Sequence, residues 1–193
     1  DNKALSRARL QLNENDLVIG NAGWLIQRKR FDVLLNVCAE MKKFNSNIKV
    51  LIAGDGEERE NLEELSMNLN LSSEVIWLGW QDDLEDFYNS IDIMLFNSDW
   101  DAVGLSPLEA IQRGIPTFAS VLNGGLKEIL NKEFRSFLIE EHDIEVLARK
   151  INEGIFNKDK LHELTLRCRD HVNYVSNPRS IATEVLTNLK MQE

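Results

Sequence analysis

The chain has 193 residues, of which 43% are hydrophobic and 28% are charged, so it is long enough for one domain with a substantial core or for one half of a larger enzyme. Its net charge of −10 argues against nucleic-acid binding and against a basic membrane-docking face on this segment. No stretch approaches the ~20 apolar residues of a transmembrane helix and no signal peptide opens the sequence, so we expect a cytoplasmic domain.

The first half of the chain alternates between strand and helix patterns. A short polar helix or linker covers residues 1–14. Strands are then predicted at residues 17–23, 48–53 and 75–78. An apolar stripe with a 3.6-residue period, from Val33 to Phe44, predicts a helix between the first two strands. The second strand ends in Gly54-Asp55-Gly56 and leads into a helix whose first turn is acidic, as the helix dipole favours.

The middle of the chain carries the strongest local signals. A buried strand over residues 91–96 leads into a polar loop that ends near Gly104. Ser106, Pro107 and Glu109 then have the spacing of a helix N-cap, a first helical residue and a capping-box partner. Ligands of parallel sheets bind at the carboxyl ends of strands, and helix N-termini attract phosphate there, so we expect a ligand site at this loop.

The second half continues the alternation and completes the fold prediction. Gly114 is expected to end the central helix before a strand at 115–119, and residues 134–139 predict a sixth strand. Helical patterns follow from Asp143, and a last helix is predicted to begin at Pro178. The sequence therefore predicts an α/β fold with a mostly parallel sheet and helices on both faces.

One domain over residues 1–193 is the economical prediction, because no repeat or low-complexity tract interrupts the pattern. Within it we distinguish a first helix or linker (1–14), a core (15–155) and C-terminal helices (156–193). The two cysteines, Cys38 and Cys168, lie in amphipathic patterns and are expected to be buried thiols of a reducing compartment.

Charged residues near the strand ends are the first candidates for a site. Arg28-Lys29-Arg30 follows the first strand and suggests a phosphate clamp, although a solvated loop would look the same. Asp101 and Glu109 flank the start of the central helix and could each accept hydroxyl hydrogen bonds of one ligand. Their alternatives are a solvated loop acid and a simple capping residue.

Three further patterns carry less weight. Gly54-x-Gly56 fails the dinucleotide fingerprint, because its third glycine position is occupied by Arg59. Asp99-Trp100-Asp101 has the form D-x-D, which holds a divalent metal in some sugar transferases, but we expect no metal here. The three histidines have no ligand spacing and are expected at the surface or in helix packing. They are His142, His162 and His171.

Taken together, the motifs resemble the nucleotide-sugar-binding, C-terminal half of a GT-B glycosyltransferase, in the large retaining group (family 4) that includes sucrose and glycogen synthases. That group has glycine-, lysine- and glutamate-bearing motifs in a fixed order, among them E-G-[FY]-G-L-x-x-x-E-A and G-G-x-x-E. Here they fall at Gly23–Arg30, Gly54–Gly56, Trp77–Gly79, Asp92–Ser98, Asp101–Ala110, Gly114–Pro116 and Gly124–Glu128. The resemblance runs from about residue 7 to residue 155 and implies a Rossmann-like fold.

The resemblance also implies roles for single residues. Lys29 matches the lysine on the donor diphosphate, Asp101 the acid near the donor sugar hydroxyls, and Glu109 the acid on the ribose. Backbone amides of Gly104 and Leu105 are expected on the diphosphate. The other expected donor-binding positions are the base-contacting backbone of Trp77 and Leu78, the glycines Gly54 and Gly56, the cations Arg28 and Arg30, and Glu128.

The implied activity is retaining, metal-independent transfer of a sugar from a nucleotide donor, UDP being the expected nucleotide, to an acceptor hydroxyl. No cofactor is expected, and the partner would be an N-terminal acceptor domain, through which any contact with the inner membrane face would run. The sequence departs from the group where its phosphate-contacting arginine is Trp24, and where a Gly and an aromatic residue are Ala102 and Val103. These departures keep one alternative open, a non-catalytic nucleotide-sugar-binding scaffold. A nucleotide-sugar epimerase on the same fold is a second alternative.

Overall fold

A parallel sheet forms the centre of the computed structural model, which describes residues 2–130, 132–139 and 143–177. Its strands are β1 (Leu17–Ala22), β2 (Ile48–Ala53), β3 (Val75–Gly79), β4 (Ile93–Asp101), β5 (Thr117–Gly124) and β6 (Leu138–Ile139). They lie in the order β3-β2-β1-β4-β5-β6, and every pairing is parallel. This is the doubly wound order of Rossmann-like folds, so the predicted fold class is confirmed.

Helices connect the strands and cover the sheet. They are α1 (Asn2–Arg9), α2 (Phe31–Lys42), α3 (Arg59–Asn68), α4 (Glu85–Ser90), α5 (Leu105–Gln112), α6 (Gly125–Ile129), α7 (Ile144–Phe156) and α8 (Lys158–Val175). Short 3₁₀ turns occupy Gln27–Lys29 and Lys132–Phe137. None of the helices in the described ranges is both long and apolar enough to cross a membrane.

The core has two parts, one on each face of the sheet. Ile19 and Leu95 belong to the larger cluster, whereas their chain neighbours Val18 and Met94 belong to the smaller one. Successive side chains of a strand point to opposite faces, so this alternation buries both faces under helices. Because both faces are buried, β1, β2 and β4 contain near-continuous apolar runs.

Burial also accounts for the cysteines and for α1. Cys38 and Cys168 are free and buried, as predicted, and burial raises the pKa of both thiols, that of Cys168 to about 12. α1 is docked on the domain, because the buried Arg7 pairs with Asp92 at 2.7 Å and donates to the backbone carbonyl of Ser90 at 3.1 Å.

Three predicted features are wrong in detail. Residues 132–137 form a 3₁₀ turn and only Leu138–Ile139 pair with β5, because a three-residue period buries both Phe134 and Phe137. Phe44 is 77% exposed, since α2 ends at Lys42. The polar stretch 97–101, predicted as loop, continues β4 and pairs with β5. The helix predicted from Pro178 and the residue His142 lie outside the described residues.

Candidate functional site

A cleft of about 750 Å³ opens at the carboxyl ends of the strands, where the strand order reverses between β1 and β4. This reversal is where open α/β sheets bind ligands. The cleft is lined by Ala22, Gly23, Trp24, Ile26, Arg28, Lys29, Ala53, Gly54, Trp80, Gln81, Leu84, Asp101, Ala102, Val103, Gly104, Leu105, Ser106 and Glu109. It therefore brings together most of the residues singled out in the sequence.

The start of α5 is built differently from the predicted capping box. Gly104 is the N-cap, in the left-handed region at φ 74°, and its amide donates to Asp101 Oδ1 at 2.9 Å. Ser106 is the second helical residue, and its hydroxyl donates to the Ala22 carbonyl at 2.8 Å. Pro107 is the third, a position whose missing N–H costs nothing because it has no intrahelical acceptor. The predicted N-cap is therefore wrong by two residues.

The reason for this correction is a pair of long-range contacts. The Ser106 hydroxyl fastens α5 to the end of β1, so it is not available to cap its own helix. The Asp101 carboxylate, at the last residue of β4, takes over the cap. Neither contact is visible in local spacing, because the first joins residues 84 positions apart.

Lys29 and Asp101 form an ion pair inside the cleft. The Lys29 ammonium donates to Asp101 Oδ2, and the two side chains are only 17% and 13% exposed. Lys29 Nζ also lies 5.2 Å from the centroid of the Phe96 ring. Arg28 donates to the Trp100 carbonyl at 2.8 Å and comes within 3.8 Å of Asp101. Two of the three predicted cations, Arg28 and Lys29, are thus held at one edge of the cleft.

Arg30 does not join them. It adopts a left-handed conformation at φ 47° and pairs with Asp32 at 3.0 Å and Asp99 at 3.1 Å. The hydrogen bond to Asp32, with the one to Asp99, raises the Arg30 pKa above its usual value. Arg30 and Asp99 line a separate cavity of about 300 Å³. The predicted cation cluster is therefore divided between two sites.

The same division separates the two acids of the D-x-D pattern. Asp99 lines the smaller cavity and Asp101 lines the cleft. In the described ranges, no group of three or more His, Cys, Asp and Glu residues is arranged to hold a metal ion. His162 is exposed, and His171 Nε2 lies 3.1 Å from the Ile129 carbonyl oxygen, so neither belongs to such a group.

Glu109 lies one helical turn into α5 and is held by Tyr88 of α4. The Tyr88 hydroxyl donates to Glu109 Oε2 at 2.8 Å. Burial of the ring, followed by the hydrogen bond to Glu109, raises the Tyr88 pKa well above its ordinary value. The phenol therefore stays a donor, and it fixes the direction of the Glu109 carboxylate.

Gly54 is the other central feature of the cleft floor. A Cβ atom added to it would lie 1.8 Å from the Gly23 carbonyl oxygen, and its φ of 143° disfavours any side chain. Gly56 is as restricted, with a Cβ position 2.5 Å from the Leu25 carbonyl oxygen, but it lies outside the cleft lining. Gly54 thus lets backbone form the floor, and Gly56 shapes the turn behind it.

Three other predicted residues lie outside the cleft lining. The ring of Trp77 is covered by the Arg59 guanidinium, 4.6 Å from its centroid. The Leu78 carbonyl accepts a hydrogen bond from Gln81 Nε2 at 2.7 Å. Glu128 is exposed on α6.

Several residues of the site were not identified as candidates from the sequence. Trp80, Gln81 and Ser106 line the cleft, and Tyr88 supports it, while Trp24 had been noted only as a departure from a pattern. The sequence does carry a signal for Trp24 and Trp80, since each directly follows a glycine at the end of a predicted strand. No local signal indicated the Tyr88 contact, because it joins two helices.

Fold, strand order and cleft define a Rossmann-like ligand-binding domain with a charged crevice at its topological switch point. The family model described as "Glycosyl transferases group 1" matches residues 2–170, and the chain belongs to that family. Its fold is that of a C-terminal domain of a GT-B glycosyltransferase.

Individual relatives agree with this assignment. The lipopolysaccharide core biosynthesis glycosyltransferase LpsE of Rhizobium meliloti is 29% identical over 150 residues, 78% of this chain and 43% of the relative. The crystal structure of Anabaena HepE in complex with UDP superposes with a TM-score of 0.83 at 20% identity, covering 98% of this chain and 52% of that one.

A third structure matches over most of its own length. The C-terminal domain of the group 1 glycosyltransferase LpcC from Francisella tularensis has a TM-score of 0.76 at 17% identity, covering 90% of this chain and 92% of that one. At these identities the structures support the fold alone. The chain spans less than half the length of the curated relatives that it matches, 43% of LpsE and 47% of a second glycosyltransferase.

Proposed function

We propose that this chain binds a nucleoside-diphosphate sugar, with UDP as the nucleotide, in the cleft between β1 and β4, as the donor half of a retaining glycosyltransferase. The observation that carries the proposal is the convergence of Lys29, Asp101 and Glu109 with the start of α5 on one cavity. These residues come from three separate parts of the sequence. A cation, a helix N-terminus and two acids together fit a ligand with a diphosphate and several hydroxyls.

The diphosphate belongs at the edge formed by Lys29, Arg28 and the start of α5. The first amides of a helix have no intrahelical acceptor and carry its positive dipole end. The Gly104 amide is already engaged by Asp101, so Leu105 and Ser106 supply the amides for the phosphate oxygens. Trp24 removes one cation that the resemblance expects, and Arg28, which already points to this edge, takes its place.

The two acids have separate tasks. Glu109, oriented by the Tyr88 hydroxyl, accepts hydrogen bonds from the ribose hydroxyls. Asp101 lies beside the cations, so the sugar attached to the second phosphate comes within its reach. Its carboxylate keeps lone pairs for sugar hydroxyls beyond the two contacts that it makes with Lys29 and Gly104.

Catalysis in this arrangement is electrostatic. As the bond between the sugar and the diphosphate breaks, negative charge grows on the departing phosphate, and fixed cations and amides stabilise that charge. Lys29 is already held at the cleft by Asp101 and Phe96 before any ligand contact. The cations and amides do the work for which other enzymes use a divalent metal, and no protein nucleophile takes part.

The acceptor hydroxyl must come from outside the described cleft. We propose that an N-terminal acceptor domain faces the carboxyl edge of the sheet and closes over the sugar. This chain alone then binds nucleotide but transfers little sugar. HepE, which was crystallised in complex with UDP, supports the choice of UDP as the nucleotide.

A calorimetric screen of this chain against UDP-, GDP- and ADP-sugars tests the proposal. We expect saturable one-to-one binding, tightest for the UDP compounds. Absence of heat and of thermal stabilisation with all three nucleotides would overturn the donor-site assignment. Transfer assays on the intact enzyme then separate the alternatives. Transfer that persists with a chelator supports a metal-independent transferase, and absence of transfer supports a scaffold. A changed sugar nucleotide formed without acceptor supports an epimerase.

A further inference from the structure

Two exposed tryptophans meet at the end of the cleft that is farther from the cations. Trp24 follows Gly23 at the carboxyl end of β1, and Trp80 follows Gly79 at the carboxyl end of β3. Their ring centroids are 6.3 Å apart in an edge-to-face arrangement, and the two residues are 62% and 58% exposed. Rings in contact that keep more than half of their surface in a concave site are available for stacking on a ligand.

The floor between these rings is backbone. β2 lies between β1 and β3, and it ends at Gly54, whose amide donates to the Gly79 carbonyl at 2.7 Å. No side chain fits at Gly54, because its Cβ position overlaps the Gly23 carbonyl. At Gly23 and Gly79, by contrast, nothing lies within 4 Å of the Cβ position. Three glycines therefore leave an open, flat space beside the two rings.

The cleft is chemically divided along its length. The lining residues from the ends of β2 and β3 and from the loop after β3 are uncharged; they are Ala53, Gly54, Trp80, Gln81 and Leu84. The cations Arg28 and Lys29 lie at the β4 edge, where they contact Trp100 and Asp101. Strands β3 and β4 are three spacings apart, or ~14 Å. A ligand that matches this cleft carries a flat ring at one end and a polyanion at the other.

We propose that Trp24 and Trp80 form the platform on which the base of the donor nucleotide stacks. This rests on the proposed nucleotide site, and it names the side chains that read the aromatic part of the ligand. Trp77 is a poor candidate for the same task, because Arg59 already covers its ring. Trp80 is also anchored, since its indole N–H donates to Asp82 Oδ1 at 3.2 Å.

The platform gives Trp24 a role in place of the arginine expected there. A ring at this position adds stacking for the base and leaves the diphosphate to Lys29, Arg28 and α5. Base and phosphate are then recognised by different residues, which makes the platform separable from the phosphate site by mutation.

The test compares ligands that contain only one end of the donor. UDP and inorganic pyrophosphate are titrated into the chain and into Trp24→Ala and Trp80→Ala, by calorimetry and by tryptophan fluorescence. We expect each variant to lose roughly tenfold or more in UDP affinity, as a lost base-stacking contact does, with pyrophosphate affinity unchanged. Trp24→Phe and Trp80→Phe should restore most of the loss, because a ring remains for the base to stack on. An unchanged pyrophosphate affinity in the alanine variants excludes a general folding defect.

Trp100→Phe is the control for changing an exposed tryptophan elsewhere, because Trp100 is 54% exposed at the cationic β4 edge, outside the cleft lining, and phenylalanine keeps a ring beside Arg28. It should leave UDP affinity unchanged. Equal UDP affinity in the wild type and both alanine variants would overturn the platform, as would a parallel loss for pyrophosphate. UDP-glucose is titrated as a third ligand, and a loss confined to it and absent with UDP would overturn the platform too, since the rings would then hold the sugar. Failure of the wild type to bind UDP, GDP or ADP would instead contradict the nucleotide site itself.

Discussion

The two ends of the cleft are built in opposite ways. At the cationic end, Lys29 and Asp101 are mostly buried and hold each other across 72 residues of sequence. At the aromatic end, Trp24 and Trp80 are mostly exposed and meet edge to face. The charged groups are thus fixed by protein partners, whereas the rings keep most of their surface exposed.

This difference follows from the physics of the two kinds of recognition. A charge that must stabilise a phosphate is most effective when it is already in place and shielded from water. A stacking ring contributes through the surface that the ligand removes from water, so it must be exposed beforehand. We therefore expect substitutions at the two ends to differ in the ligands and the properties that they affect.

The largest expected effect is on stability, at the backbone floor of the aromatic end. Gly54→Ala places a methyl group against the Gly23 carbonyl at a strained φ, so β1 and β2 must separate. We expect a loss of at least about 3 kcal/mol in the free energy of unfolding, measured by urea denaturation. Gly114→Asn is the control, since its Cβ position is open and asparagine tolerates φ 73°. Equal stability of both variants would refute the close approach at Gly54.

Next in size is the effect of removing the cation at the ionic end. Lys29→Ala deletes a charged donor and leaves Asp101, which is 13% exposed, facing the diphosphate without its partner. We expect UDP affinity to fall about 100-fold, the equivalent of about 2.7 kcal/mol, by calorimetry. Arg30→Ala removes the same charge one residue away, in the separate cavity, and should change affinity less than about twofold. A larger loss of UDP affinity in Arg30→Ala than in Lys29→Ala would instead place the phosphate at Arg30.

A smaller effect of opposite sign is expected at Asp101. Asp101→Asn keeps an oxygen to accept from the Gly104 amide but removes the negative charge that competes with the diphosphate for Lys29. UDP should bind several-fold tighter, while transfer by the intact enzyme slows. Asp99→Asn, the same change two residues earlier on β4, should alter neither. Weaker UDP binding by Asp101→Asn would contradict the counter-ion role.

The smallest expected effect concerns the support of Glu109. Tyr88→Phe removes the hydrogen bond to Glu109 Oε2 and should weaken UDP binding about three- to tenfold. Because the raised pKa keeps the Tyr88 phenol protonated, this loss should be constant from neutral to mildly alkaline pH. A nucleotide without ribose hydroxyls, 2′,3′-dideoxy-UDP, should bind wild type and variant equally. A variant effect on that ligand as well would point to a loss of structure instead.

Much of this architecture could be predicted because it is local. β1, β2 and β3 were placed within one residue, since apolar runs bounded by glycine define buried strands. The helix at Asp143 was placed correctly, because its cap is made by its own first residues. The parallel sheet followed from the alternation of such elements.

The errors arise where a contact crosses the fold. Ser106 does not cap α5, because its hydroxyl donates to the end of β1. Arg30 lies apart from Arg28 and Lys29, because it pairs with Asp32 and Asp99. The pairing of Glu109 with Tyr88 and the meeting of Trp24 with Trp80 depend equally on tertiary structure. The resemblance indicated which residues to expect together, but their division between the cleft and the smaller cavity depends on tertiary contacts.

The most direct measurement is a crystal structure of this chain with bound UDP. The account predicts the diphosphate within hydrogen-bonding distance of Lys29 Nζ and the Leu105 amide, the ribose at Glu109 and the uracil over Trp24 and Trp80. Phosphates bound at Arg30 in the separate cavity, or a nucleotide lying outside the cleft, would contradict it.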